Sequence, residues 1–304
     1  MGKSPIFVRK QSGGTFVVTD ETQTTGELFF VHSGTGTDAA GYGKNPDAPL
    51  ATIDYAIGLC TASKGDRIYV MPGHAETLSA AGAITADVAG ISIIGMGNGS
   101  NRPTLSFANT AATFAISAAD VLVENIRVTA SVDEVVKLFN VTAAGCTLDA
   151  VDYFETASAQ AIQFLLTTAA ADQLTVKNCQ HRQANAAGSA QAWIQLVGCD
   201  DTRILDNLFI LALNNASTSA VISATTAVVN CQIARNTILQ TGGTTQVSAI
   251  LLTTSSTGFV HDNRVAAAVT TLAGTVALAS AYGAENYTLN TANKSGIIDP
   301  VADT

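Results

Sequence analysis

The chain is poor in charge, aromatic rings and proline. Charged residues fill 13% of its 304 positions and aromatics 6%, with one Trp and six Pro. Bases are outnumbered by acids, 15 to 24, and lie scattered along the chain. A nucleic-acid-binding face needs clustered Lys and Arg to meet phosphates, so no nucleic-acid partner is expected. No apolar run reaches the length of a membrane span, and residues 1–10 (MGKSPIFVRK) lack the apolar core of a secretory signal. The expectation is a soluble chain with no membrane partner, not exported by the usual route. The five cysteines (Cys60, Cys146, Cys179, Cys199 and Cys231) are odd in number and without CxxC spacing, which argues against a disulfide framework or zinc site. They are expected as small buried apolar side chains. His32, His74, His181 and His261 fall in separate segments, and GTGTD at 34–38 lacks the Lys of a phosphate loop. No metal and no cofactor are expected.

What is abundant is β-prone: 47% of residues are hydrophobic, with Ala, Thr, Val, Ile and Gly prominent. Seven segments repeat a β-prone apolar pair, a mostly charged residue, then usually Asn: VLVENIRV (121–128), CTLDAVDY (146–153), LTVKNCQH (174–181), RILDNLFI (203–210), QIARNTIL (232–239), FVHDNRVA (259–266) and YTLNTANK (287–294). Their fifth positions are Asn125, Ala150, Asn178, Asn207, Asn236, Asn263 and Thr291, in steps of 25 to 29 residues. A second apolar patch recurs between them, in LFNV, IQFLL, AWIQLV, AVIS, AILL and VALA. Each period therefore carries at least two strands. A period this regular, without helical spacing or a leucine-rich pattern, predicts an all-β right-handed parallel β-helix of about 7–9 coils.

The expected organisation is an N-terminal arm over residues 1–27, a lead-in over 28–89, coils over 90–294 and a tail over 295–304. Within the lead-in, Ile53, Ala56, Ile57 and Cys60 recur at helical spacing behind Pro49. A helix near 52–62 is expected to cap the first coil, whose edge would otherwise offer free backbone groups.

The passage FFVHSGTGTD…GYGKNPDAPLATIDYAIG…KGDRIYVMPGHAET, followed by ISIIGMGNG, resembles the N-terminal part of pectin-lyase-like right-handed parallel β-helix proteins. The resemblance spans roughly residues 28–290. It implies the fold far more than a function, because one scaffold hosts many activities. Within that superfamily the short arm and the Ala/Thr-rich, weakly charged coils are most similar to structural proteins of tailed bacteriophages. The superfamily's enzymes include lyases and glycosidases, but no lyase motif, such as an Arg with calcium-binding Asp residues on adjacent coils, carries over here.

Glycoside hydrolysis needs two carboxyl groups roughly 5 to 9 Å apart. The candidates are Glu124 with Asp149 on neighbouring coils, and Asp200 with Asp201. The fourth repeat positions, Glu124, Asp149, Lys177, Asp206, Arg235, Asp262 and Asn290, alternate in sign after Lys177. They are expected as a ladder of ion pairs on a sheet face. If Ile233 and Val260 are the inward residues of their segments, Arg235 and Asp262 leave that column, since a one-residue slip changes face. The Asn residues (Asn125, Asn178, Asn207, Asn236 and Asn263) are expected to stack at a corner, where Asn tolerates left-handed backbone geometry. Trp193 is expected to be packed inside.

With no convincing site on the body, the expected function is that of a non-enzymatic virion protein, most simply a capsid decoration protein. It would assemble in the bacterial host cytoplasm, self-associate as a homotrimer and attach to the major capsid protein or another virion protein through residues 1–27. The alternative is a tail fibre, tailspike or secreted polysaccharide lyase or hydrolase acting on host surface glycans.

Overall fold

The computed structural model describes residues 26–154, 159–182, 192–212, 220–240 and 248–290 in full, and residues 7–11 and 14–18 as backbone. The tail expected over 295–304 lies outside these residues. Of the expected arm, the backbone shows Phe7–Gln11 pairing antiparallel with Gly14–Val18.

Every other paired strand in the described residues is parallel to its neighbours and belongs to one of three sheets, of ten, nine and eight strands. The first sheet runs from Leu28–Val31 to Tyr282–Ala284, the second from Ala75–Leu78 to Tyr287–Leu289, and the third from Ile84–Ala86 to Val276–Ala277. The chain visits the sheets in turn, making a right-handed parallel β-solenoid of about seven full turns. At about 4.8 Å per strand the first sheet is on the order of 45 Å long.

Each coil thus carries three strands. VLVENIRV already holds two of them, Leu122–Glu124 in the first sheet and Arg127–Ala130 in the second. Only the corner Asn125-Ile126 separates them, too short to show as a turn in the hydrophobic pattern. The recurring second patches form the third sheet, as in Phe139–Val141 and Leu165–Thr167.

Alternation turns every second side chain of a strand inward, and stacking brings the inward side chains of successive coils together. Phe114, Phe139, Phe164 and Trp193 form one such file, with successive ring centroids 5.3, 5.2 and 6.1 Å apart. Trp193 is fully buried, and its indole Nε1 donates to His181 Nδ1 at 2.6 Å. His181 Nε2 in turn donates to the Val151 carbonyl at 3.0 Å, which fixes a neutral tautomer, and burial lowers its pKa to about 3. Each buried ring of this size contributes roughly 1.5 to 3 kcal/mol of transfer free energy.

A seven-residue helix, Ile53–Leu59, begins at the N-cap Thr52, whose hydroxyl donates to Asp38 Oδ2 at 2.7 Å and accepts from the Tyr55 N–H. Its Ile53, Ala56 and Ile57 are buried in the same core as the early coils. Buried His74 accepts the Ser33 N–H at Nδ1 and donates from Nε2 to Glu76, which also accepts the Ile53 N–H. That network ties the helix to the second sheet's first strand.

Candidate functional site

The corner between the first and second sheets decides which side chains face outward. In seven consecutive coils its residue has left-handed backbone geometry: Asn125, Ala150, Asn178, Asp206, Arg235, Asp262 and Glu285, with φ between 51° and 57°. The residue after it points inward, as Ile126, Val151, Cys179, Asn207, Asn236, Asn263 and Asn286. The Asn residues expected to form one column therefore occupy two. Asn125 and Asn178 sit on the corner itself, while Asn207, Asn236 and Asn263 lie inside with Asn286.

The inner four form a continuous ladder. Asn207 Nδ2 donates to Asn236 Oδ1 at 2.9 Å, Asn236 to Asn263 at 2.9 Å, and Asn263 to Asn286 at 2.9 Å. Each Nδ2 also reaches a carbonyl of the preceding coil, Val176, Ile204, Ile233 and Val260 in turn. The seventh repeat is therefore YGAEN, 282–286; the expected fifth position Thr291 lies outside the described residues.

The expected single charge ladder separates for the same reason. Glu124, Asp149 and Lys177 are register partners at the outward end of the first sheet's strands, but the next residue in that row is Leu205. Asp206, Arg235 and Asp262 stand one position further on, at the corner. The slip allowed for Arg235 and Asp262 thus begins one coil earlier, at Asp206, because Ile204 rather than Leu205 points inward. Lys177 Nζ pairs with Asp149 Oδ2 at 3.1 Å, and Asn178 Nδ2 donates to Asp149 Oδ1 at 2.8 Å. Arg235 grips Asp206 with two bonds of 2.7 Å, which hold the Asp206 carboxyl below the usual carboxylate range. Glu124 adjoins Asp149 in register, but Asp149 is engaged by Lys177. Asn290 is buried at the end of the second sheet and belongs to neither row.

Asp200 and Asp201 belong to another corner, where the third sheet turns into the first. Asp200 Oδ1 accepts the Val229 N–H at 2.7 Å, and its own N–H donates to Asp172 Oδ1 at 2.8 Å. Asp201 has φ 55° and accepts from Asn230 Nδ2 at 3.3 Å.

What the structure does assemble is a cleft of about 610 Å³ on the outer face of the first sheet, toward its C-terminal end. Its floor is a register row running Arg203, Gln232, Phe259, Tyr282, one residue per coil. Phe259 and Tyr282 stack with centroids 5.5 Å apart and planes 29° from parallel, yet they are 59% and 70% exposed. Two exposed rings held flat beside one another, on an outward face where core packing does not need them, form an apolar platform. Gly258 opens that strand with φ 136° because the Cys231 backbone lies against it; a Cβ there would fall 2.0 Å from the Cys231 oxygen. His261 stands two residues beyond Phe259 on the same face. Its Nδ1 lies 2.7 Å from Asp262 Oδ2 and its Nε2 3.3 Å from Gln232 Nε2. The Asp262 carboxylate accepts a hydrogen bond from Nδ1–H, so Nε2 carries the lone pair, on the side of Gln232 and the cleft. The His261 contact depresses the Asp262 pKa. Arg203 and Asp201 line the same cleft, and the Arg203 side chain makes no hydrogen bond or ion pair among the described residues.

The sequence reading missed Phe259, Tyr282, His261, Gln232 and Arg203. Placing the seventh repeat at YTLNTANK instead of YGAENYTL hid the stacking of Tyr282 on Phe259. Trp193, expected to be packed inside, is fully buried. Among the described residues no group of three or more His, Cys, Asp or Glu side chains is placed to hold a metal. No helix among them is long and apolar enough to cross a membrane.

No family model and no curated protein matches the chain. Among solved structures it is similar to a rhamnogalacturonan lyase, at 12% identity and TM-score 0.47, over 90% of this chain and 89% of that one. It is also similar to the GH136 lacto-N-biosidase from Eubacterium ramulus, at 11% identity and TM-score 0.39, over 87% and 68%. The expectation of a non-enzymatic capsid decoration protein is corrected by the site itself. It rested on a body without a site, whereas the first sheet carries a cleft with an aromatic floor and a His–Asp pair.

Proposed function

We propose that this protein acts on a glycan, as a polysaccharide lyase that cleaves next to a uronic acid in the cleft over Phe259 and Tyr282. One observation carries the reading: an exposed, stacked aromatic pair lies in one register row with Gln232 and the unpaired Arg203, beside a His held by an Asp. The apolar face of a pyranose ring packs on such a platform, while amide and guanidinium groups at its rim take up the hydroxyls and a carboxylate.

The chemistry follows from the groups present. The Arg203 guanidinium neutralises the sugar carboxylate, which makes the neighbouring C5 proton more acidic. His261 Nε2 removes that proton, with Asp262 stabilising the imidazolium that forms. The electron pair becomes the C4–C5 double bond, the C4–O glycosidic bond breaks, and the leaving oxygen takes up a proton. Hydrolysis would need two carboxyl groups flanking the bond. Of the two acids at the cleft, Asp262 is engaged by His261 and Asp201 by Asn230, so elimination suits these side chains better.

The test is release of unsaturated products, followed by their ultraviolet absorbance, from a panel of uronate-containing polysaccharides. Turnover of at least one member is expected, with His261→Ala slower by about 100-fold or more. Arg203→Ala is expected to raise KM and lower kcat together. A panel left intact by wild type, or His261→Ala as fast as wild type, would overturn the reading.

A further inference from the structure

The chain carries a net charge of −9, yet three of its eight arginines lie on or beside neighbouring strands of the second sheet, on a different face of the solenoid from the cleft. Arg127, on Arg127–Ala130, is the register partner of Asp152, on Asp152–Phe154. Phe154 is the register partner of Arg182, on Gln180–Arg182. Arg102, just before Thr104–Phe107, donates from its terminal nitrogen to Asp152 Oδ2. The Arg127 guanidinium lies 5.5 Å from the centroid of the Phe154 ring, which is itself 59% exposed.

Two cations, Arg102 and Arg127, thus flank one carboxylate, and Arg182 stands beside Phe154 two residues along the next strand. Asp152 is occupied by Arg102, and the side chains of Arg127 and Arg182 make no hydrogen bond or ion pair among the described residues. The Nε atoms of both Arg102 and Arg127 are buried without a partner. A buried donor with no acceptor costs about 1 to 3 kcal/mol, so this packing is not the one that stability alone would select. Burial also pushes the Asp152 carboxyl up against the opposing pull of Arg102 and Arg127, which weakens its cover of the local positive charge.

We infer that Arg127, Arg182 and Phe154 form a second glycan-binding site, taking a sugar that bears an oxyanion, with its ring on the exposed face of Phe154 and its anionic group between the two guanidiniums. Planar guanidiniums match carboxylate or sulfate oxygens two at a time, and an aromatic face beside them takes the apolar face of the sugar. The site shares the glycan reading with the cleft but none of its residues. Product formation reports on the cleft alone, and the part of the equilibrium binding that substitution of Arg127 or Arg182 removes reports on this site, so either can fail without the other.

The test is calorimetric titration of the full chain carrying His261→Ala and Arg203→Ala, so that turnover does not consume the probe and the cleft no longer holds its carboxylate. The probes are a galacturonate tetrasaccharide, an O-sulfated tetrasaccharide and neutral cellotetraose. Binding of at least one acidic probe is expected, weakening with salt, and with affinity about tenfold or more lower after Arg127→Ala or Arg182→Glu. Arg182 is exposed, so its substitution leaves folding intact even if Arg127→Ala does not, and the far-ultraviolet circular dichroism checks both. The two acidic probes separate a carboxylate site from a sulfate site. Acidic-probe affinity that Arg182→Glu leaves unchanged, the absence of acidic-probe binding, or cellotetraose bound as tightly, would overturn the inference.

Discussion

At the scale of single residues, chemistry depends on which hydrogen-bond partners a side chain is given. His181 and His261 show it within one chain. His181 is sealed among Tyr153, Phe164, Trp193 and Phe209 with both ring nitrogens engaged, and burial keeps it neutral down to about pH 3. His261 stands partly exposed at a cleft with a carboxylate on one nitrogen. The first is a stability element and the second a candidate base. Because the His181 pKa is lower in the folded chain than its ordinary 6.5, the unfolded chain takes up a proton that the folded chain refuses. Stability is therefore full above pH 6.5 and falls as the pH drops toward about 3. Chemical denaturation between pH 6.5 and 5, above the carboxylate range, should show a loss approaching about 1.4 kcal/mol per pH unit. His181→Gln should lower overall stability and remove that part of the slope. A wild-type slope no steeper than the variant's would contradict the assignment.

The corner column, repeated coil by coil, works at the scale of elements. Its inner Asn residues satisfy the carbonyls of one coil and the N–H groups of another, which water cannot reach. Asn236→Ala removes an acceptor for the Asn207 N–H and a donor to Ile204, and should cost about 2 to 4 kcal/mol. Asn178→Ala, at the exposed corner with one side-chain bond to Asp149, should cost about 1 kcal/mol. Urea unfolding of the two variants side by side tests this, and equal losses would mean that the columns do not differ. The stacking of coils was legible in the sequence because strand pairing between coils forces similar residues to recur. The face of each residue was less legible. Asn serves at the corner in early coils and inside it in later ones, so aligning on Asn displaced Asp206, Arg235 and Asp262 by one position. That displacement also concealed the cleft, because Phe259 and Tyr282 pair only in the true register. The binding surface was hidden further because Arg203, Gln232, Phe259 and Tyr282 come from four coils and share no local motif.

For the whole molecule, the solenoid is a rigid rod whose outer faces can vary while its core repeats. The first sheet presents three zones along its outer face: the stacked rings of Phe30 and Tyr69, the Glu124–Asp149–Lys177 row, and the aromatic cleft beyond Arg203. Only the last combines an exposed apolar floor with polar groups at its rim. The outer row of the third sheet, through Ala115, Asn140, Leu166 and Gln195, carries no ionisable side chain, which leaves it without acid–base groups of its own. The most direct measurement is a crystal structure of the His261→Ala protein soaked with a uronate oligosaccharide taken from a polymer that the wild type cleaves. The account predicts a pyranose ring lying flat on Phe259 and Tyr282, its carboxylate at Arg203 and its C5 facing the position of the missing imidazole. A saccharide bound only on another face, with Phe259 and Tyr282 left uncovered, would contradict it.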